Sequence, residues 1–432
     1  MSRWSMHHVW KFLAVLGLVA LLGLAAACGD DDDDDGGDDG GTATSTGGAT
    51  AEPTGDGGNG GGDNVITIAE GDTIKVGITA VLSGDLVALG TTVRDAAILA
   101  AEQFGQVEGH DIEIVTADDL CDASGAEPAA QQLLAENVVA VIGSICSGVN
   151  VTVQPTYEEA GITQVSSGST AVAVTYPQGR DPFDTFVRTV VHDGVQGVRQ
   201  AAYAMDVLGA TTVFSAHDTD AYGTGLKDVF NGEFEELGGE VVGTEGWEKG
   251  QTDFSALVTS VTTENPDLVY VASFDPEAAA FIRQLRDSGY EGEFLAGDGV
   301  ITDQFLQLAG DAAEGSHLSK PAPFEETPEL AQFQEDFLAE FGYAWDAQPY
   351  AAQSYDAFQV IFDALTAVAT VDGSDLVIDL DALNDAIHAA NFDGLTGHIE
   401  FDDHGDLIAA PGKPQIIFFK TEGGEYVQQE FE

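Results

Sequence analysis

The chain has 432 residues, 44% of them hydrophobic, with 74 acidic side chains against 14 basic ones and a formal charge of −60. That length gives room for two or three domains and a sizeable core. The charge argues against a nucleic-acid partner, which needs basic patches, and against docking on anionic lipid headgroups. It predicts a heavily hydrated surface. A sharper hypothesis is exposure to high salt, which screens self-repulsion; equal stability and compactness at low and molar salt would refute it.

The first residues read as an export signal. Met1 to Lys11 carries Arg3, His7, His8 and Lys11 and no acid, and Phe12 to Leu24 is an apolar run too short for an ordinary membrane span. Ala25-Ala26-Ala27-Cys28 follows. A signal peptide is expected over 1–27. Cys28 resembles the lipid-modified cysteine of bacterial lipoproteins, with Ala25 where Leu is usual; a cleaved, unlipidated peptide is the alternative. Residues 28–72 are expected to be a disordered acidic Gly/Thr linker, since Asp30 to Asp35 and the stretch behind them hold few apolar groups to offset chain entropy. The Asp run lacks the spaced ligands and closing Glu of a calcium loop. With Cys28 assigned to lipid, Cys121 and Cys146 remain to pair in an exported chain. Such a bridge would stabilise by about 3 kcal/mol; two buried free thiols are the alternative.

From Thr73 strands and helices alternate. Ile74 to Ile78 reads as a strand, Val93 to Phe104 as a helix, Asp111 to Thr116 as a strand and Pro128 to Glu136 as a helix. The run Val139 to Asn150 is central. It opens as a strand buried on both faces, breaks at Gly143-Ser144 and passes into a helix near Val149. Such a turn offers unpaired N–H groups and a helix dipole that favours an anion, and Ser147 adds a hydroxyl. Val151 to Ala160 is helical, and Ile162 to Val165 is a strand running into Ser166-Ser167-Gly168-Ser169-Thr170.

A second series follows Phe186 to Val191, with Asp193 capping a helix through Val207. Strands are expected at Thr211–Ala216, Glu240–Thr244, Asp267–Phe274 and Phe294–Ala296, and helices at Tyr222–Leu237, Asp253–Thr263, Pro276–Asp287 and Thr302–Ala309. Helices at Pro328–Phe341, Pro349–Val368 and Asp381–Ala390 precede extended stretches at His398–Phe401 and Gln415–Lys420. Two βα series predict two α/β lobes, each a mainly parallel sheet with helices on both faces.

These pieces resemble the leucine/isoleucine/valine-binding proteins, the type I periplasmic solute-binding components of ABC transporters. The resemblance rests on an ordered set: Val81-Leu82-Ser83-Gly84, Asp118-Asp119-Leu120-Cys121-Asp122, Ile142 to Ser147, Tyr157 to Ile162, His217 to Gly223, Asp253-Phe254-Ser255 and Gly405-Asp406-Leu407. It implies two lobes joined by three crossings, expected near Val190, Lys320 and Thr396. Residues 73–190 plus 321–395 would form the first lobe and 191–320 plus 396–432 the second. Ligand capture would be hinge closure.

The resemblance also implies a site for a free amino acid. Ser147 and Thr170 match positions that bind the α-carboxylate, while the Gly168 carbonyl and Thr170 match positions near the α-ammonium. Asp298 matches an acid that pairs with that ammonium from the other lobe, where the closest branched-chain binders have Glu. Tyr222 and Phe274 match aromatic positions of the pocket, Phe274 standing where Tyr is familiar, and Leu89 replaces a pocket Tyr. Ser169 lies in the same loop. Bland readings stand beside these: Ser147 as a helix cap, Ser169 and Thr170 as turn residues, Asp298 as a turn acid, and Tyr222 and Phe274 as lobe packing.

No catalytic constellation is present in the sequence. Gly-x-Ser-x-Gly after a strand and a Walker loop are absent, and His110, His192, His217, His317, His388, His398 and His404 show no metal spacing. Asp118-Asp119 reads as loop capping rather than an acid–base pair. The expectation is a monomeric, non-enzymatic receptor without cofactor or metal. It would be held by lipid on the outer face of the cell membrane and deliver a small amino acid, branched-chain by preference, to an ABC permease. The alternatives are an amide, urea-like or aromatic-acid binder, a ligand sensor on the same fold, or an extracellular enzyme.

Overall fold

A computed structural model describes residues 64–179, 181–322, 325–408 and 415–431. The expectations for the signal peptide, Cys28 and the linker up to residue 63 lie outside these residues.

The first strand, β1 (Val65–Ile68), falls where linker was expected. Its four residues are β-branched, which suits a pleated surface. Then come β2 (Ile74–Ala80), α1 (Val87–Phe104), β3 (Ile112–Asp118), α2 (Ala123–Ala135), β4 (Ala140–Gly143), α3 (Ser147–Ala160), β5 (Thr163–Ser166) and β6 (Phe186–Arg188). They form an all-parallel sheet in the order β3-β2-β4-β5-β6. Helix α2 starts five residues before Pro128, because the Asp122 carboxylate accepts the Ser124 N–H at 2.7 Å and caps it.

The second series comprises α4 (Asp193–Asp206), β7 (Thr212–Asp218), α5 (Ala221–Glu236), β8 (Glu240–Trp247), α6 (Ser255–Glu264), β9 (Leu268–Ala272), α7 (Asp275–Asp287), β10 (Glu293–Ala296), α8 (Asp303–Ala309) and β11 (His317–Pro321). Its parallel order, β8-β7-β9-β10-β11, repeats that of the first sheet. In β9, Val269 and Val271 enter the core under α6 and α7, while Leu268, Tyr270 and Ala272 enter the core under α4 and α5. That alternation is the period of a strand buried on both faces. The cap of α4 is His192, whose Nδ1 accepts the Gly194 N–H at 3.0 Å; Asp193, expected there, is a buried first-turn residue.

The chain then returns. Helix α9 (Pro328–Phe341), capped by Thr327, and α10 (Ala351–Val368) pack on α1 through Phe333, Phe337, Ala351, Ala352, Ala96 and Leu99. Next come β12 (Thr370–Asp372), β13 (Asp375–Asp379), α11 (Leu380–His388), β14 (Asn391–Gly394) and β15 (Gly397–Glu400). Strand β13 takes up β1 and β12 on its two edges. Ile399 of β15 and Phe401 join the first-lobe core, so the chain has not left that lobe at Thr396, where the third crossing was expected. It reaches the second sheet at β16 (Ile416–Glu422), which runs antiparallel to β11 and carries β17 (Glu425–Gln429) at the edge. Residues from 396 on were expected in the second lobe; the hairpin that pairs Asp393 with His398 keeps this segment in the first.

A disulfide joins Cys121 to Cys146 in the first lobe, the Cα atoms 5.4 Å apart. No helix among the described residues is long and apolar enough to cross a membrane.

Candidate ligand-binding site

Both sheets place their first strand between the second and third, so each has a switch point where loops diverge at the carboxyl ends of its strands. In the first lobe that point lies between β2 and β4; in the second it lies between β7 and β9. The loops from both converge on one small cavity. Leu89, Ile145, Gly168 and Thr170 line it from the first lobe, and Tyr222, Phe274, Asp298, Gly299 and Thr302 line it from the second. Pro349 and Tyr350, just before α10, close it.

Six of the eight expected residues therefore meet there: Leu89, Gly168, Thr170, Tyr222, Phe274 and Asp298. Ser147 and Ser169 do not line the cavity. The Ser147 hydroxyl accepts the Ala171 N–H at 3.1 Å, tying the β4–α3 turn to the loop after β5. The cap position of α3 is Cys146, so Ser147 is not that helix's cap. Ser169 is buried with a hydroxyl that has no partner among the described residues, while its carbonyl accepts from Arg188.

Arg188 organises this loop. It is fully buried, and its guanidinium donates to Asp406 Oδ1 and Thr175 Oγ1 at 2.6 Å each, and to the carbonyls of Ser169 and Ala171 at 2.9 and 3.0 Å. The pairing satisfies a charge that would otherwise be prohibitive to bury. Gly168 is required by the close approach of its neighbours: an added Cβ would lie 2.8 Å from Ile145 and 3.0 Å from Tyr350.

In the second lobe Asp298 is buried between two phenols. Tyr222 donates to Oδ1 at 2.9 Å, Tyr350 donates to Oδ2, and the Gly299 N–H donates to the Tyr222 oxygen at 3.1 Å. Burial pushes the Asp298 carboxyl up, against the pull of these hydrogen bonds. Phe274 packs on Tyr222 with ring centres 5.2 Å apart.

Two residues of this constellation were not assigned to the site from sequence. Tyr350 holds a left-handed conformation, φ 78°, which turns its side chain across the cleft. Asp193 is wholly buried at the start of α4; burial first, then Asp298, pushes its carboxyl well up, against the pull of a hydrogen bond with Thr170. Asp193 was legible as an acid at a helix start, but Tyr350 carried no sequence signal.

The cavity is about 10 Å³, room for about one water molecule and far below the few hundred cubic ångströms of ordinary small-molecule sites. Larger spaces flank it. One of about 560 Å³ lies beyond Pro349 and Tyr350, lined also by Lys320, Leu330, Trp345 and Asp346. Another of about 470 Å³ forms the cleft mouth on the side of the disulfide. Among the described residues no group of three or more His, Cys, Asp or Glu side chains is placed to hold a metal ion. The arrangement offers a carboxylate from one lobe and a hydroxyl with loop backbone from the other, complementary to a small zwitterion.

Comparison with known proteins agrees in fold and extent. A Leu/Ile/Val-binding protein homologue of Brucella melitensis is 30% identical over 365 residues, covering 82% of this chain and 94% of that protein. The leucine-, isoleucine-, valine-, threonine- and alanine-binding protein of Pseudomonas aeruginosa is 27% identical, covering 78% of this chain and 87% of that protein. The crystal structure of a leucine-binding protein from Thermotoga maritima superposes with a TM-score of 0.73 at 28% identity, over 83% of this chain and 98% of that one. The periplasmic binding protein family model matches residues 73–410, and the chain belongs to that family of solute-binding, non-enzymatic proteins.

Proposed function

We propose that the chain is an exported receptor that captures a small aliphatic amino acid, branched-chain by preference, and delivers it to an ABC permease. The carrying observation is that Asp298 of one lobe and Thr170 and Gly168 of the other face one cavity. An α-ammonium would pair with Asp298, and an α-carboxylate would take the Thr170 hydroxyl and the loop backbone near Ser147. Leu89, Ile145 and Phe274 supply an apolar wall for the side chain. The ligand contacts both lobes and so favours the closed state, while entry requires the lobes or Tyr350 to move, since the closed cavity holds only a water. The names of the Pseudomonas and Thermotoga relatives support the amino-acid class. Cys28 would carry the lipid that holds the receptor on the outer face of the membrane, and the mature protein would act as a monomer.

The test is calorimetric titration of the mature chain carrying Cys28→Ser with leucine, isoleucine, valine, alanine, threonine, an amide, urea and benzoate. Binding confined to aliphatic amino acids is expected. Binding only of urea, the amide or benzoate would keep the receptor role and overturn the amino-acid reading. A mature N-terminus at Cys28 without added lipid mass would remove the anchor.

A further inference from the structure

The cleft mouth is lined by Asp85, Asp122, Asp218, Asp220, Glu248 and Glu277, and Lys249 is the one basic residue among those described that line it. Lys249, in the turn after β8, reaches across to the first lobe. Its ammonium donates to the Leu120 carbonyl at 2.6 Å and the Cys121 carbonyl at 3.0 Å. Those carbonyls are presented by two consecutive left-handed residues, Leu120 at φ 58° and Cys121 at φ 50°. Asp118 and Asp119 hold the turn in place by accepting the Leu120 and Cys121 N–H groups at 3.1 and 2.8 Å.

A second grip lies beside the first. Asp220 accepts the Tyr222 N–H at 3.0 Å, capping its own helix α5. Its other oxygen lies over Gly148 at the start of α3 in the first lobe, so close that a Cβ at position 148 would collide with it. One carboxylate thus serves two helix N-termini, one from each lobe. Cys121 and Cys146, which flank the two contact points, are joined by the disulfide. The disulfide therefore fixes the spacing of the two surfaces that the second lobe must grip at once.

We infer that Lys249 and Asp220 are affinity-setting residues that never touch the ligand: they latch the second lobe onto the Leu120–Cys121 turn and Gly148, and Lys249 offsets the carboxylates that closure brings together. The inference builds on the hinge-closure reading of the site, and it assigns the disulfide the task of presenting both latch points. Without Lys249, acids of the two lobes face each other across the mouth, which penalises the closed state.

The test is single-molecule FRET on the full mature chain, with dyes on azido side chains introduced at Gln131 of α2 and Glu264 of α6, measured without ligand and with leucine. Lys249→Met and Asp220→Asn are each expected to lower the closed-to-open ratio by about tenfold, with unchanged unfolding midpoints, and Lys249→Arg to restore most of it. Molar NaCl should lower that ratio in the native protein, by screening the latch, and raise it in Lys249→Met, by screening repulsion. Ratios within twofold of native for both variants, or the same sign of salt response in both proteins, would overturn the latch. A native protein that ignores leucine would sink the amino-acid reading instead, and the latch would then be judged on the ligand-free ratios.

Discussion

In the first lobe the cavity wall is Ile145, Gly168 and Thr170 behind β4 and β5, with Leu89 above them and Pro349 and the Tyr350 phenol before α10. In the second lobe, built on the same strand order, the wall is Asp298, Tyr222 and Phe274. A shared topology thus fixes where ligand groups are presented, at the switch points, and leaves their chemistry to the loops. On the proposed reading the first lobe would take the carboxylate of an amino acid and the second its ammonium. Neither half alone would complement the zwitterion, so recognition and closure of the cleft would be one event.

That division can be broken from either side. Asp298→Ala should have the largest effect, about 2–5 kcal/mol of leucine affinity, because an ammonium is left unpaired in a closed cleft. Near-native binding by this variant would take the cation side away from Asp298. On the first-lobe side, Ser147→Ala should lower affinity by about 1–3 kcal/mol, through the lost tie to the Ala171 N–H and the loop it positions. A loss equal to that of Asp298→Ala would mean the two lobes contribute alike. Gly168→Ala should weaken binding by about tenfold, since the added methyl meets Ile145 and Tyr350 and holds the lobes apart. A crystal structure of this variant with Tyr350 still on Asp298 would contradict that account.

A prediction of a different kind concerns stability rather than affinity. Burial, with help from nearby Asp220, pushes the Asp218 carboxyl from the ordinary 3.8 to about 8. Between about pH 4 and 8 the folded protein therefore keeps a proton that the unfolded chain has lost, and stability falls as pH rises across that window. Asp218→Asn should flatten this part of the profile and raise the melting temperature at pH 8. Parallel melting profiles for the two proteins from pH 4 to 9 would show that Asp218 is not the source.

The two lobes also differed in how far their sequence disclosed them. Buried parallel strands such as Ala140–Gly143 and Leu268–Ala272 are continuous apolar runs, and helices such as Pro328–Phe341 follow from their apolar spacing and an N-terminal Pro. These were legible because local pattern and burial agree. Strand β1 was not, because its four residues are held by pairing with β13, more than three hundred positions away, and by packing of Ile66 and Ile68 on the first-lobe core. The hairpin of β14 and β15 failed for the same reason: its lobe is decided by the contacts of Ile399 and Phe401, not by composition. At the site, residues that follow strands in order were found, whereas Tyr350 depends on a backbone turn that brings a distant helix to Asp298.

Two tryptophans fall within the described residues, and they sit in opposite settings. Trp247 is sealed in the second-lobe core against Phe254 and Phe281. Trp345 borders the space behind Tyr350. Emission from Trp247 should stay blue and constant, while that from Trp345 should move as Tyr350 leaves or rejoins Asp298. The chain thus carries its own optical reporter and internal reference, and Trp345→Phe should silence the signal without dimming the standard.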